Sequence, residues 1–246
     1  MKTKLSLVIF FFCSVLCLSQ NNGTIAKAYV SSRNQEIHPS TIEKMMGVKI
    51  SDYQGSYSFG ESEGESVLGI IYSNGKLFAR SSYTDFKNDL GLRYERDPIE
   101  YLNGKIKIGK TFFELFQCVE TTSFTLNKGT KGLVLHFFEN EDGKKYHYMQ
   151  FSPDYPESIK LKGKYPEASF VKLSIEDLNS YSKNDLKIIR NEIFARKGYI
   201  FREGGEMEKY FSQQIWYKRL KNRTNNIKLS DIEKQNVDLI LKLEKK

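Results

Sequence analysis

The sequence predicts an α+β protein in two parts, an antiparallel β meander followed by a small all-α module. Three observations carry that reading. Between Val48 and Phe151, short runs rich in Val, Ile, Phe and Tyr are broken by Asn74-Gly75, Asn103-Gly104 and Asp142-Gly143. Such pairs tolerate positive φ at both positions and favour type I′ hairpins. Beyond residue 170 the apolar period changes to three and four residues, and serines precede the runs. Between the two lies SPDYPESIKLKGKYPEA, from Ser152 to Ala168, which holds three of the five prolines and reads as a connector.

The chain opens with Lys2 and Lys4, then a 14-residue apolar run from Leu5 to Leu18 that carries no charge and only Ser6 and Ser14 as polar residues. A membrane span needs about 20, so residues 1–19 are expected to be a signal peptide cleaved after Ser19. Lipid attachment at Cys17 is the alternative, but that processing favours a small residue before the cysteine and Leu16 is not small. With the leader removed, Cys118 is the remaining one of three cysteines. An internal disulfide is then impossible, and Cys118 is expected to pack as a small buried hydrophobe.

Residues 20–151 form the expected β domain, opening with a loop and one short helix near Thr41 to Met46. The spacing of turn residues gives strands near 54–59, 66–73, 76–83, 91–99, 105–109, 112–119, 121–127, 132–139 and 144–151. Gly55-Ser56-Tyr57 resembles the first strand of small lipocalin-like barrels, with Tyr57 in place of their tryptophan. A closed barrel and an open sheet both stand at this point. The connector is set at 152–170 and the helical module at 171–246. In that module Ser174-Ile175-Glu176-Asp177 and Ser182-Lys183-Asn184-Asp185 each put an acceptor side chain three residues ahead of an acid. Ser230-Asp231-Ile232-Glu233 is a full capping box. Each serine satisfies an otherwise orphan N–H, worth ~1 kcal/mol. Leu186, Ile189, Ile193 and Phe194 then fall on one helical face, and Ile232, Val237, Ile240, Leu241 and Leu243 on another.

Charge is divided unevenly. Residues 170–246 carry 17 Lys+Arg against 11 Asp+Glu, whereas residues 5–169 are balanced at 19 each. A basic module on an exported chain is expected to face an anionic cell-envelope polymer or another exported protein rather than nucleic acid.

No catalytic constellation emerges. Gly60-Glu61-Ser62-Glu63-Gly64 matches G-x-S-x-G literally, but that elbow requires a strand turning into a helix, and the strand-like Val67 to Tyr72 follows here. Glu61, Glu63 and Glu65 would share a strand face, where they could bind Ca²⁺ or supply a glycosidase pair, but a solvated acidic edge explains them with less, since no second acidic cluster is identifiable as partner. His136 and His147 are the nearest approach to a metal site. A two-residue turn at Asp142-Gly143 would pair His136 with Met149 and His147 with Phe138, leaving the imidazoles as diagonal neighbours. Zinc needs at least three protein ligands, and no local residue supplies the third. No cofactor and no metal is therefore expected.

The helical module supplies a resemblance. Phe194-Ala195-Arg196-Lys197-Gly198, followed by Tyr199 and later by Tyr210-Phe211 and Trp216-Tyr217, resembles the YARHG domain of exported bacterial proteins. Phe194 stands in the tyrosine position and Lys197 in the histidine position, while Ala195, Arg196 and Gly198 match. The resemblance spans roughly Val171 to Lys246 and implies an extracytoplasmic module joined to varied neighbours, with no established activity. Lys197 in place of histidine argues against proton transfer or metal ligation there. The residues support a structural role independently: Gly198 follows a helix ending in Arg196-Lys197, the expected place for a C′ glycine. Trp216 and Tyr217 are expected to close a small core, and Lys218, Arg219, Lys221 and Arg223 to offer the binding edge. The expected function is a non-catalytic, exported interaction protein of the bacterial cell envelope, docking through this module. The alternatives are a lipocalin-like carrier of a small hydrophobic ligand and a carboxylate-dependent hydrolase.

Overall fold

The computed structural model describes residues 25–30, 33–37, 39–59, 66–85, 91–121, 127–141, 144–152 and 161–246. It has an α+β architecture in which two open sheets precede a helical region. The strands are β1 (Ile25–Val30), β2 (Arg33–Ile37), β3 (Ile42–Lys44), β4 (Gly55–Phe59), β5 (Ser66–Ser73) and β6 (Lys76–Asp85). They continue with β7 (Gly91–Asp97), β8 (Ile99–Leu102), β9 (Lys105–Ile108), β10 (Thr111–Cys118), β11 (Lys131–Glu141) and β12 (Lys144–Ser152). The larger sheet runs β2-β1-β12-β11-β10-β9-β8, with β3 also paired to β10. The smaller runs β4-β5-β6-β7. Neither closes, so of the two expected forms the open sheet is the one adopted.

The hairpin signals are met where they can be seen. Asn74 and Gly75 sit at φ 48° and 82°, and Asn103 and Gly104 at 51° and 76°. The turn pair Asp142-Gly143 and the residues Glu61, Glu63 and Glu65 lie outside the described residues, as do the leader and the G-x-S-x-G segment.

Several expectations are corrected. The stretch before the meander holds strands β1 and β2, a 3₁₀ turn at Pro39–Thr41 and strand β3, not a loop and a helix near Thr41 to Met46. β3 is captured by the free edge of β10, with Ile42 opposite Cys118 and the Met45 N–H donating to the Leu115 carbonyl at 2.7 Å. Long-range pairing of this kind overrides local propensity. β1 pairs with β12 in parallel, so the sheet is not purely antiparallel. The single strand expected over 91–99 divides at Pro98, which has no N–H for a ladder and marks where the chain leaves the smaller sheet for the larger. Of the strand expected over 121–127, Thr121 and Asn127 are irregular and the residues between lie outside the described set. The expected His136–Met149 pair is not made. Near the turn Glu139 faces Tyr146 as a two-residue connection requires, but the register then slips and Met149 faces Val134. A register shift between Leu135 and Glu139 displaces the pairing at the two histidines.

The smaller sheet is a middle layer. Tyr57, Leu68, Ile70 and Ala79 face the larger sheet and pack with Tyr53, Ile106, Phe113, Leu115 and Leu133. Ile71 and Phe78 point the other way, into a cluster with Tyr165, Phe170, Ile189 and Ile240 of the helical region. Burial on both faces explains why VLGIIY in β5 is nearly continuous in apolar residues rather than alternating.

The helical region contains α1 (Glu167–Phe170), α2 (Ile175–Leu178), α3 (Lys183–Arg196), α4 (Glu206–Ser212), α5 (Ile215–Lys218) and α6 (Asp231–Glu244). The serine caps form as expected. Ser174 with Asp177 and Ser230 with Glu233 make reciprocal capping boxes, and Ser182 accepts from the Asp185 N–H. Of the stretch read as a connector, Tyr165, Glu167, Ala168 and Phe170 are buried in the core.

Candidate functional site

Arg196 ends α3 but points inward, its side chain only 6% exposed. Its Nε donates to the Lys162 carbonyl at 2.6 Å, Nη1 to Ser169 Oγ at 2.9 Å, and Nη2 to the Tyr165 carbonyl at 2.6 Å. Nη2 also pairs with Glu192, one helical turn earlier. Glu192 in turn accepts from the backbone N–H groups of Lys164 and Tyr165 at 2.9 and 2.7 Å. This fully bonded pair staples residues 162–169 onto α3. Gly163, at φ +112°, passes so close that a Cβ there would overlap the Glu192 carboxyl. Burial lowers the Arg196 pKa, and the charges of Glu192, Glu167 and Glu233 oppose that effect.

Gly198 reverses the chain after α3 at φ +83°. A tertiary demand adds to the conformational one, because a Cβ there would overlap the Asn222 carbonyl oxygen. The Thr224 N–H donates to the Gly198 carbonyl at 3.0 Å, and Tyr199 bridges Thr224. The loop after Trp216 is therefore tied back to the motif. Lys197 Nζ lies 3.2 Å from Glu233, the buried acid of the α6 capping box, so this position serves a structural ion pair.

The aromatics after the motif form the small core anticipated from their spacing. Phe201 stacks on Phe211 at 5.0 Å between centroids, and Tyr217 is buried with its hydroxyl donating to the Tyr199 carbonyl at 2.5 Å. Trp216 is only half-buried, held by edge contacts to Phe211 and Tyr217.

Beside Trp216 lies a surface groove of about 530 Å³, lined by Lys162, Gln213, Gln214, Ile215, Trp216 and Arg219. Ile215 is 65% exposed. The structure brings two of the residues singled out from sequence, Trp216 and Arg219, into this groove. Tyr217 is buried and does not line it. Arg223 is engaged elsewhere: its guanidinium sits 4.4 Å above the Tyr217 ring and donates to the Tyr217 carbonyl. Lys218 and Lys221 are exposed outside the groove lining. Gln213, Gln214 and Ile215 were not singled out from sequence, although they stand directly ahead of Trp216. Lys162 carried no local signal, since only the Arg196 staple brings it there. Among the described residues no three His, Cys, Asp or Glu side chains converge as metal ligands would. No helix among them is long and apolar enough to cross a membrane.

Comparison with known proteins gives one finding. Residues 164–245 match the YARHG domain, beginning a few residues before the boundary set from sequence and including the Glu192–Arg196 pair. No curated protein and no solved structure matches the chain.

Proposed function

We propose that this chain, whose residues 164–245 are a YARHG domain, is an exported, non-catalytic interaction protein that docks to the bacterial cell envelope. The ligand class is an anionic envelope polymer or an acidic exported partner. One observation carries the reading: the motif's own charges are consumed internally, while the cations beyond it are not. Arg196 and Lys197 pair with Glu192 and Glu233. Lys218, Arg219 and Lys221 are exposed and, among the described residues, pair with no acid. Free cations on an ordered surface attract anionic partners at long range and hold them in a salt-dependent way. Export rests on the pattern of residues 1–19 and on the occurrence of this domain in exported proteins.

The test is sedimentation of the chain with purified cell envelopes across a salt series. Retention is expected to fall as salt rises, and to fall further in Lys218/Arg219/Lys221→Ala. Retention that is independent of salt and survives the triple substitution overturns the docking role. Arg223 is left intact because its packing on Tyr217 would confound the result.

A further inference from the structure

We infer that the groove beside Trp216 is a saccharide site, selective for a sugar that carries a carboxylate. The inference rests on the docking role proposed above and names the chemical group recognised. Three features of the lining support it. First, the groove joins an apolar platform to polar groups. Trp216 and Ile215 are its apolar lining residues, and Gln213 and Gln214 its neutral polar ones. A pyranose ring has the complementary pattern, with C–H bonds on its faces and hydroxyl or amide groups around its rim. Among the described residues the half-buried indole makes ring contacts with Phe211 and Tyr217 but no N–H hydrogen bond. The Gln214 amide makes only a long 3.5 Å contact, to the Tyr210 carbonyl.

Second, the charge in the groove has one sign. Lys162 and Arg219 are its ionisable lining residues, and among the described residues no acid lines it. A guanidinium offers two parallel donors that match a carboxylate, and Lys162 adds a second cation from a distant part of the chain. Third, the groove is built rather than incidental. The Arg196 hydrogen bond to the Lys162 carbonyl fixes one wall, and the Phe211–Tyr217 packing fixes the indole on the other. Its volume of about 530 Å³ falls within the ~300–1,000 Å³ span of small-molecule sites. A docked helix or a membrane surface would need a longer apolar stripe than Ile215 and Trp216 provide.

Trp216 is the only tryptophan, so its emission reports the groove directly. The chain is titrated with N-acetylmuramic acid, with N-acetylglucosamine and with lactate, and the affinities are repeated by calorimetry. A saturable emission change is expected with N-acetylmuramic acid, at least about tenfold tighter than with N-acetylglucosamine, since one charge-assisted contact is worth about that factor. Lactate alone should bind far more weakly. Arg219→Gln and Lys162→Gln should each cost about tenfold for the acidic sugar and little for the neutral one. Equal affinity for the two sugars, full binding by lactate, or unchanged affinity in Arg219→Gln overturns the assignment. So does the absence of any saturable response. If salt-sensitive envelope retention persists without a saccharide response, the groove assignment fails and the docking role stands. If retention is absent, the docking role fails and the sugar titration judges the groove alone.

Discussion

Arg196 donates to two backbone carbonyls, a hydroxyl and a carboxylate from a nearly sealed position, so removing it strands several acceptors and leaves Glu192 without a counter-charge. Breaking a buried pair from one side costs about 3–5 kcal/mol. Arg196→Met should therefore lower the urea midpoint by a corresponding amount. Arg196→Lys should recover only part of the loss, because an ammonium lacks the planar fork. An unchanged midpoint in the methionine variant would contradict the staple. Gly198→Ala should be destabilising by more than ~1 kcal/mol, since positive φ and overlap with the Asn222 carbonyl act together. Cys118 is buried and free, and burial pushes its thiol up to about 11. Alkylation is expected to be slow in the native protein and fast after denaturation, as followed by mass spectrometry.

At the level of elements, α6 is held by an amide as well as by its apolar face. Asn236 is fully buried; its Oδ1 accepts from the Leu173 N–H, and its Nδ2 donates to the Ala168 and Val171 carbonyls, all at 2.8 Å. These bonds tie the helix to the segment around α1, where no regular ladder satisfies the backbone. Asn236→Leu should cost about 1–3 kcal/mol for each group orphaned in the core. Ser230→Ala, at the cap of the same helix, should cost ~1 kcal/mol, because water can replace the capping oxygen at an exposed helix end. Chemical denaturation of the two variants checks the ranking: a cap loss as large as the amide loss would place the anchor of α6 at its end rather than at its centre.

Across the whole molecule, the helical region is fastened to the smaller sheet by polar contacts around the Ile71–Phe78 patch. Arg80 donates to the Phe170 carbonyl at 3.0 Å and lies 4.4 Å from both the Phe170 and Tyr94 rings. Arg96 forks onto Asp177, and Ser73 and Asn74 donate to Glu167. The two acids respond to pH in opposite senses. Burial raises the Glu167 pKa, outweighing its bonds to Ser73 and Asn74 and the charge of Arg196. Its favourable contribution is complete below the ordinary carboxylate range and is lost as pH rises through the raised folded value. Glu167→Gln should accordingly gain stability relative to the parent between acid and neutral pH. For Asp177 burial raises the pKa, but the Arg96 and Ser174 bonds outweigh it and the net shift is downward. Its contribution is present above the ordinary carboxylate range and lost as pH falls through the depressed value. Asp177→Asn should be least stable relative to the parent at neutral pH, with the gap closing in acid. Urea titrations at several pH values test both signs.

The features written into the residue order are local. The Asn-Gly turns, the three serine caps, the span of α3 and the reversal at Gly198 each depend on contacts within a few residues, so neighbouring residue types suffice to specify them. The aromatic core around Phe211 was also legible, because its members lie close along the chain. Tertiary packing set which edge captured β3, where Pro98 hands the chain from one sheet to the other, and how the ladder slips at the histidines. Those outcomes follow from long-range pairing, whose partners leave no mark in a local window. The same holds for the groove: Trp216 and Arg219 were visible in sequence, but Lys162 joins them only because a buried arginine binds its carbonyl from α3. Hydrogen bonds made across more than thirty residues decide that wall, and no periodicity encodes them.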